Sequence, residues 1–378
     1  FMKITGIEIK QYAKPLDPPF LASWDPNPRV KFASTIVYVY TDEGITGIGS
    51  GDLMTGFAGH EKFFIGKDPF EMENHNKIID NIDFHYGRCW PLDIALWDII
   101  GKKCGQPIYK LLGGKQDKIK AYCSCGARIP AEERAEKARE YVEMGFKAMK
   151  IRFHHEDVRE DIKVVEAVRG AIGDKMEIMV DGNQAWKMPW DVERIWDLKK
   201  AVKVARELEK LGVYWLEEPL HHADYDNLAR LREMTDIRIA GGEMNRRWHD
   251  FRDLADKGSY DVYQPDTVLC GGFTRTKKIA DYVQSKGAVF CPHTWSNGVG
   301  LLANLHMACA VSDAEYLEYP FDPPVWTVDR RDYILKEEDR VLVDKDGYMH
   351  VPQKPGLGFE PDEEALKEYE IKDYYVGE

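Results

Sequence analysis

The chain contains the stretch EIMVDGN at residues 177–183, a short apolar run that ends in an acidic residue. Two similar stretches follow it, VYWLEEP at residues 213–219 and RIAGGE at residues 238–243. Short apolar runs are typical of parallel strands that are buried on both faces. Polar residues at the carboxyl ends of such strands lie where a β/α barrel builds its active site. The three stretches therefore predict a β/α barrel with a group of acidic residues at one end.

Eight strand candidates extend this pattern from about residue 119 onward, and segments with helical periodicity lie between many of them. In chain order the candidates are KIKAYCS (118–124), AMKIRF (148–153), EIMVDGN (177–183), VYWLEEP (213–219), RIAGGE (238–243), DVYQPD (261–266), AVFCPHTW (288–295) and EYLEYP (315–320). Eight alternating units favour a closed barrel over a doubly wound sheet. We therefore predict an α/β fold, a modified (β/α) barrel of the TIM type.

The segments on either side of the barrel have different patterns. Residues 2–50 read as strands and residues 60–113 as helices, which predicts an α+β domain. After Pro320 the sequence predicts a loop and a hairpin that return to this first domain. The predicted organisation is an α+β capping domain at residues 1–118, the barrel with the catalytic site at residues 119–325 and a returning C-terminal segment at residues 326–378.

Composition and charge exclude several classes of protein. The formal net charge of −13 argues against binding to a phosphate backbone, which requires a basic face. No apolar stretch reaches the roughly 18 residues that a membrane-spanning helix needs, and the N-terminus lacks the pattern of a secretory signal. The seven cysteines are scattered and odd in number, which favours a reduced, cytoplasmic protein.

Three of the strand candidates end in the acidic residues Asp181, Glu217 and Glu243. Carboxylates that converge at one end of a barrel carry a large desolvation cost if they stay unpaired. A hard divalent cation with oxygen ligands offsets that cost. The sequence therefore predicts a Mg²⁺ site and acid–base chemistry that uses it.

These residues belong to a larger pattern. Three acidic strand ends, the Lys-x-Lys-like element Lys150-Ile151-Arg152 and the Asp266…His293 pair resemble the enolase superfamily, and within it the mandelate racemase subgroup. The resemblance covers nearly the whole chain, including the cap and the C-terminal return. It implies that Mg²⁺ is bound by the three strand-end acids named above. It also implies Glu217 rather than Glu218 as the ligand, because the first acid of the W-x-E-E-P element has that role in the family.

The candidate base is His293, one strand-helix-strand step after Asp266. A carboxylate hydrogen-bonded to one imidazole nitrogen fixes the tautomer and leaves the other nitrogen free to take a proton. Enolase-type sites use a Lys or His base together with Mg²⁺, which stabilises an enediolate. We expect His293 to abstract the proton α to a substrate carboxylate.

The second barrel strand departs from the family pattern at Arg152, where the family has a second lysine. The resemblance implies that Lys150 helps to bind the substrate carboxylate and that the second lysine is commonly a base. An arginine stays protonated and is a poor base, but its guanidinium nitrogens donate hydrogen bonds well to a carboxylate or a hydroxyl. One face of the site therefore lacks a base, and a single His base suits elimination of water. This resembles the acid-sugar dehydratases, which are hydro-lyases.

Further candidates follow from the same resemblance. Glu318 matches the glutamate that hydrogen-bonds the substrate carboxylate, and such a role predicts a protonated side chain with a raised pKa. Asn183 resembles a contact to a substrate hydroxyl. The candidates for substrate binding in the capping loops and at the mouth of the barrel are Trp24, Asp25, Arg29, Asp52, Met54, Phe57, His85, His154, Trp186 and Trp295.

Two alternatives stay open at this point. The same proton abstraction could expel a ring oxygen, which would make the protein a cycloisomerase, or an epimerase, of a sugar-acid lactone or anhydro-sugar acid. The Asp266–His293 pair could also be structural in a non-catalytic barrel. The resemblance further suggests a homo-oligomer whose partner molecule is a small sugar acid.

Overall fold

The computed structural model describes residues 1–51 and 53–371. The first part is an antiparallel sheet with the order β1-β2-β3, followed by three helices and a short 3-10 helix at Glu61–Phe63. The elements are β1 (Ile4–Phe20), β2 (Arg29–Thr41), β3 (Thr46–Gly51), α1 (Met72–His85), α2 (Pro91–Cys104) and α3 (Ile108–Leu112). The turn between β2 and β3 has Gly44 at a φ of 76°, a conformation that favours glycine. The predicted α+β cap is therefore present.

The eight predicted barrel strands all form, and they lie in one parallel sheet. They are β4 (Lys118–Ser124), β5 (Ala148–Arg152), β6 (Glu177–Asp181), β7 (Trp215–Glu217), β8 (Arg238–Gly241), β9 (Val262–Tyr263), β10 (Val289–Phe290) and β11 (Tyr316–Pro320). Their order is β10-β9-β8-β7-β6-β5-β4-β11. The two end strands meet where the Cys291 thiol donates a hydrogen bond of 3.1 Å to the carbonyl oxygen of Tyr316. The sheet is therefore curled, and the predicted fold class is confirmed.

Seven helices connect the barrel strands. They are α4 (Ala131–Glu143), α5 (Val158–Ile172), α6 (Leu198–Lys210), α7 (Tyr225–Met234), α8 (Trp248–Lys257), α9 (Gly272–Ser285) and α10 (Gly298–Val311). Helix α10 is buried along almost its whole length, because it contacts α9 and β4 on the barrel and also β3 and α3 of the cap. A helix that is apolar all round requires such cover. The cap therefore completes the packing of the barrel as well as covering its end.

The C-terminal segment returns to the cap as predicted. Its elements are α11 (Val328–Arg331), a 3-10 helix at Glu337–Asp339, β12 (Tyr348–His350) and α12 (Glu363–Tyr369). The predicted hairpin closes through a bridge between Val343 and Met349, and β12 adds to the barrel strand β4. The backbone N–H of Ile371 then donates to Gln11 of β1 at 2.8 Å. The exact domain bounds stay a prediction, and residues 372–378 lie outside the described residues.

Among the described residues, no helix is both long and apolar enough to cross a membrane.

Candidate active site

The polar residues of the site follow from the alternation of side chains along each strand. A layer of apolar side chains fills the barrel interior and includes Tyr122, Met179, Trp215, Cys291 and Tyr316. Because side chains two positions apart on a strand point to the same face, the residues two positions later also point inward, one layer higher. These residues are Ser124, Asp181, Glu217, His293 and Glu318. The site therefore rests on an apolar floor.

The acidic residues Asp181, Glu217 and Glu243 form a buried group at this end of the barrel. Each has a carboxylate oxygen within 4.8 Å of the others, and Glu217 rather than the neighbouring Glu218 is the member of the group. Burial raises the pKa values of Asp181 and Glu217, because the interior penalises their charged forms. One oxygen of Glu243, Oε2, is buried and accepts no hydrogen bond. Three carboxylate oxygens, one of them without a hydrogen bond, fit the preference of Mg²⁺ for oxygen ligands.

Other side chains hold the acids of this group in place. The Glu217 carboxylate accepts hydrogen bonds from Gln264 at 3.0 Å and from the Trp215 indole at 3.2 Å. Asp181 accepts hydrogen bonds from the backbone N–H and the side-chain amide of Asn183, at 2.8 and 3.0 Å. Gln264 is not among the predicted site residues, although it lies two positions before Asp266 in the predicted strand DVYQPD, just beyond the end of β9. The alternation of side chains could have identified it.

Two buried cations lie on the β5 side of the pocket. The ammonium of Lys150 lies 2.6 Å from Glu217 and 2.8 Å from Glu318. The guanidinium of Arg152 lies 2.5 Å from Asp181 and 3.2 Å from Glu318. Burial by itself lowers the pKa of each cation, but the neighbouring carboxylates outweigh it and raise both pKa values. Arg152 therefore stays charged, which agrees with its predicted inability to act as a base.

His293 lies on the β10 side of the pocket and is nearly fully buried. Its Nδ1 atom lies 3.0 Å from Asp266 Oδ2, while Nε2 lies 3.2 Å from Glu243 Oε2. Asp266 is itself fixed by hydrogen bonds to its other oxygen from Asn304, at 2.9 Å, and from the backbone of Val268, at 3.0 Å. Burial by itself lowers the pKa of His293. The carboxylates of Glu243, Glu318 and Asp266 outweigh burial and raise the pKa to about 9. The structure thus holds one imidazole nitrogen and directs the other towards the acidic group.

The expected ionisation of Glu318 is wrong in this structure. Burial raises its pKa, but the charges of Lys150, His293 and Arg152 outweigh burial and lower the pKa to about 2. The Ser124 hydroxyl donates to one oxygen at 2.7 Å, and the backbone N–H of Thr294 donates to the other at 2.9 Å. Glu318 is therefore an ionised carboxylate that links the cations of β5 to His293, and not a protonated acid.

The capping loop reaches the site through Trp24. The Arg152 guanidinium carbon lies 4.7 Å from the centre of the Trp24 ring and 4.9 Å from that of Trp295. These two indoles enclose the cation from the cap and from the end of β10, in the geometry of a cation–π interaction. Arg29 instead pairs with Asp25 at 3.1 Å, so its charge is directed within the loop. The structure therefore brings Trp24 and Trp295 into contact with Arg152, while the guanidinium of Arg29 lies 5.5 Å from the centre of the Trp24 ring and does not contact the acidic group directly among the described contacts.

The remaining loop candidates divide into two groups. A cavity of about 360 Å³ opens above the site and is lined in part by Trp24, Asn183, His154 and Trp186. Met54 and Phe57 instead pack into the core of the cap, so their predicted place at the mouth is wrong. Asp52 lies outside the described residues.

The ring contacts described for His85 are with its own neighbours in the chain and not with the acidic group or His293. His85 is exposed at the end of α1, where its ring packs against Phe84 and Tyr86. A polar residue in a capping domain points to the barrel only if its helix end faces that way. The sequence carries no signal for that direction.

Family models match both parts of the chain. The model described as "Mandelate racemase / muconate lactonizing enzyme, N-terminal domain" matches residues 9–113, and the model described as "Enolase C-terminal domain-like" matches residues 133–365. Together they span the cap and the barrel.

Similar proteins of known activity include dehydratases and cycloisomerases. The arabinonate dehydratase of Saccharolobus solfataricus is 34% identical over 74% of this chain and 71% of its own length. The D-galactarolactone cycloisomerase of Agrobacterium fabrum is 30% identical over 98% of this chain and 100% of its own length. The crystal structure of L-talarate dehydratase from Polaromonas sp. JS666, complexed with Mg and L-glucarate, has a TM-score of 0.81 at 26% identity and covers 98% of both chains. Most of the similar proteins are named as acid-sugar dehydratases, and fewer as cycloisomerases.

Proposed function

Because the chain belongs to the mandelate racemase and muconate lactonizing enzyme family of the enolase superfamily, we propose that it is a Mg²⁺-dependent dehydratase of a sugar acid. The observation that carries this proposal is the difference between the two sides of the pocket. His293, held by Asp266, is a base on one side, and Arg152, paired with two carboxylates, is a fixed cation on the other. A site with one base suits an elimination better than a two-base racemisation.

In this proposal Asp181, Glu217 and Glu243 hold the ion. When bound, Mg²⁺ supplies positive charge that stabilises negative charge developing on the substrate carboxylate. Lys150 lies beside the same group, 2.6 Å from Glu217, which supports its proposed role in binding that carboxylate. Its buried ammonium cannot lose its proton easily, so it binds and orients the substrate without exchanging protons.

His293 is the group that moves protons. Nε2 takes the proton from the carbon next to the carboxylate, and the electron pair of that C–H bond forms the enediolate. Collapse of the enediolate breaks the C–O bond at the next carbon, and the hydroxyl leaves as water with the proton returned from Nε2. The enol that remains tautomerises to a 2-keto-3-deoxy acid. Asp266 keeps Nδ1 protonated throughout and stabilises the imidazolium in between.

The finer site assignments belong to the same proposal. Asn183 and Trp24 line the cavity above the site, where they are placed to contact substrate hydroxyls. Glu318, as a carboxylate, keeps Lys150 and Arg152 in position and borders the imidazole of His293. In this position it acts through the cations and not as a proton donor.

A cycloisomerase is the second candidate, and one observation favours it. The galactarolactone cycloisomerase is similar to this chain over essentially its full length, whereas the arabinonate dehydratase matches over 74% of the chain. The two reactions share the proton abstraction at His293 and differ in the oxygen that leaves.

The test uses the Mg²⁺-loaded protein with a panel of aldonates, aldarates and sugar-acid lactones, and mass spectrometry of the products. A dehydratase gives a product lighter by one water, and a cycloisomerase gives a product of unchanged mass. If neither product forms and the α-hydrogen does not exchange in D₂O, the protein is a non-catalytic barrel.

We also propose a reduced, cytoplasmic location and a homo-oligomer. All seven cysteines are free and six of them are buried, which supports a reducing compartment. Light scattering on the purified protein tests the oligomeric state, and fractionation of the cells of origin tests the location.

A further inference from the structure

A second group of possible metal ligands lies just beyond the end of β5. It consists of His154, His155 and Asp161, which have ligand atoms within 4.8 Å of one another. Asp161 Oδ1 lies 2.7 Å from Nδ1 of His155 and 3.8 Å from Nδ1 of His154. We propose that this group is a separate binding site for a transition-metal dication of the Zn²⁺, Co²⁺ or Ni²⁺ class at the mouth of the barrel.

Asp161 holds the cluster together before any ion binds. Its carboxylate accepts the backbone N–H groups of His154, at 3.1 Å, and of His155, at 3.0 Å, and only 3% of its side chain is exposed. Since α5 begins at Val158, this carboxylate lies in the first turn of the helix and reaches back to the strand end. The backbone that carries both imidazoles is thus fixed, and little ordering is left for an ion to impose.

One ring nitrogen of His154 is available to an ion. Its Nδ1 atom is buried and makes no hydrogen bond to any described residue. Burial, with the adjoining imidazole of His155, lowers the pKa of His154 to about 4, so the ring is neutral near pH 7. A buried nitrogen without a hydrogen bond is destabilising. A metal ion accepts the lone pair of that nitrogen and removes the penalty.

The ligand atoms set the class of ion. The acidic group in the barrel offers only oxygens, which suit Mg²⁺, whereas this cluster offers two imidazole nitrogens and one carboxylate oxygen. Imidazole ligands favour Zn²⁺, Co²⁺ and Ni²⁺. The two sites are therefore selective for different ions, and an excess of Mg²⁺ does not fill the second one.

The cluster is accessible from two sides. His154 and His155 line the cavity of about 360 Å³ above the active site, and they also line a second, more open cavity beside α5. Three protein ligands leave at least one coordination position of a zinc-like ion open. Because Asn183 lines the first of these cavities as well, an ion at the cluster lies on the approach to the active site.

The test is a titration of the Mg²⁺-saturated protein with Co²⁺, followed by visible absorption and calorimetry. We expect one equivalent of Co²⁺ to bind with the intense bands of a four- or five-coordinate ion. The His155→Asn variant should lose at least about 10- to 100-fold in Co²⁺ affinity, as even the outer partners of metal ligands contribute that much. His155 is the better choice for substitution because Asp161 supports the local backbone and could affect folding.

A matched control is available at His221 and His222. Their rings form a similar pair, 4.4 Å apart at 31°, but no third ligand joins them among the described residues. His221→Asn should leave Co²⁺ binding unchanged. Equal affinity in wild type and His155→Asn, or only the weak spectrum of six-coordinate Co²⁺, would overturn the proposal. So would the lack of an anomalous scattering peak between the three side chains in Zn²⁺-soaked crystals.

Discussion

The two sides of the active-site pocket carry opposite kinds of proton chemistry. On the β10 side, His293 is held at one nitrogen by Asp266 and keeps the other directed at the acidic group. On the β5 side, Arg152 is enclosed by two carboxylates and two indoles, with no way to release a proton. A base needs a nitrogen that can both accept and release a proton, and of these two side chains only the imidazole of His293 has one. The pocket is therefore built to take a proton from one direction.

The substitution with the largest expected effect on activity is His293→Asn. We expect the turnover number to fall by about 10²- to 10⁴-fold, because the variant removes the proposed base of the pocket. Exchange of the substrate α-hydrogen in D₂O should fall in parallel, while calorimetry should show Mg²⁺ binding retained. His85→Asn, an exposed histidine of the cap, is the control and should be unaffected. Activity retained in His293→Asn would place the base elsewhere.

The second prediction concerns the charge that surrounds His293. In the protein without Mg²⁺ its pKa is raised to about 9 from the ordinary 6.5, so the stabilisation it provides is complete below about pH 6.5 and is lost as the pH rises through 9. The change is on the order of 3 kcal/mol in the free energy of unfolding. Mg²⁺ would neutralise Glu243, one of the three carboxylates that raise this pKa, and should therefore reduce the dependence of stability on pH.

Denaturant unfolding between pH 6 and pH 10, with and without Mg²⁺, measures how the free energy of unfolding depends on pH. His293→Asn without Mg²⁺ is the control, and its stability should not follow the same titration. A slope that persists unchanged when Mg²⁺ is present would mean that the ion does not bind beside His293.

The third prediction tests the opposite side of the pocket. Arg152→Lys keeps the charge, but a single ammonium cannot replace the two guanidinium nitrogens that contact Asp181 and Glu318. We expect the carboxylates of these two residues to change position. We expect kcat/KM to fall by about 10-fold, with exchange of the α-hydrogen still detectable. The matched control is Arg134→Lys, because Arg134 makes a buried two-bond pair with Asp322, at 2.8 and 2.9 Å, away from the acidic group. That variant should lose stability and keep its kcat. A gain of racemisation in Arg152→Lys would show that a lysine there restores a second base.

The same contrast explains what the sequence could and could not predict. A short apolar run that ends in a polar residue is a local property, and so it was sufficient to place Asp181, Glu217 and His293 at the carboxyl ends of barrel strands. The ionisation of Glu318 depends on Lys150, Arg152 and other groups from separate strands, and no local pattern contains the sum of their charges.

Loop residues were harder to predict for a related reason. Trp24 lies in the capping loop and contacts Arg152 directly, whereas Arg29, at the start of β2, pairs with Asp25 and contacts the Trp24 ring instead. The direction of a loop side chain is set by tertiary partners, and such partners leave no periodicity in the sequence. The cluster of His154, His155 and Asp161 escaped notice for the same reason, since its third ligand comes from the following helix.

The smallest predicted effect is at the contact between the cap and Arg152. Trp24→Leu removes one of the two indoles that enclose the guanidinium, and a cation–π contact of this kind contributes about 0.5–2 kcal/mol. We expect KM to rise by about threefold to tenfold with kcat little changed, because the loop binds substrate while the base lies on the other side of the pocket. Trp190→Leu is the matched control: its indole donates to Asp25 of the same loop at 3.0 Å but does not contact Arg152. If Trp24→Leu lowered kcat and left KM unchanged, the capping loop would take part in the chemistry of the β5 side, and the division between a catalytic side and a binding side would fail.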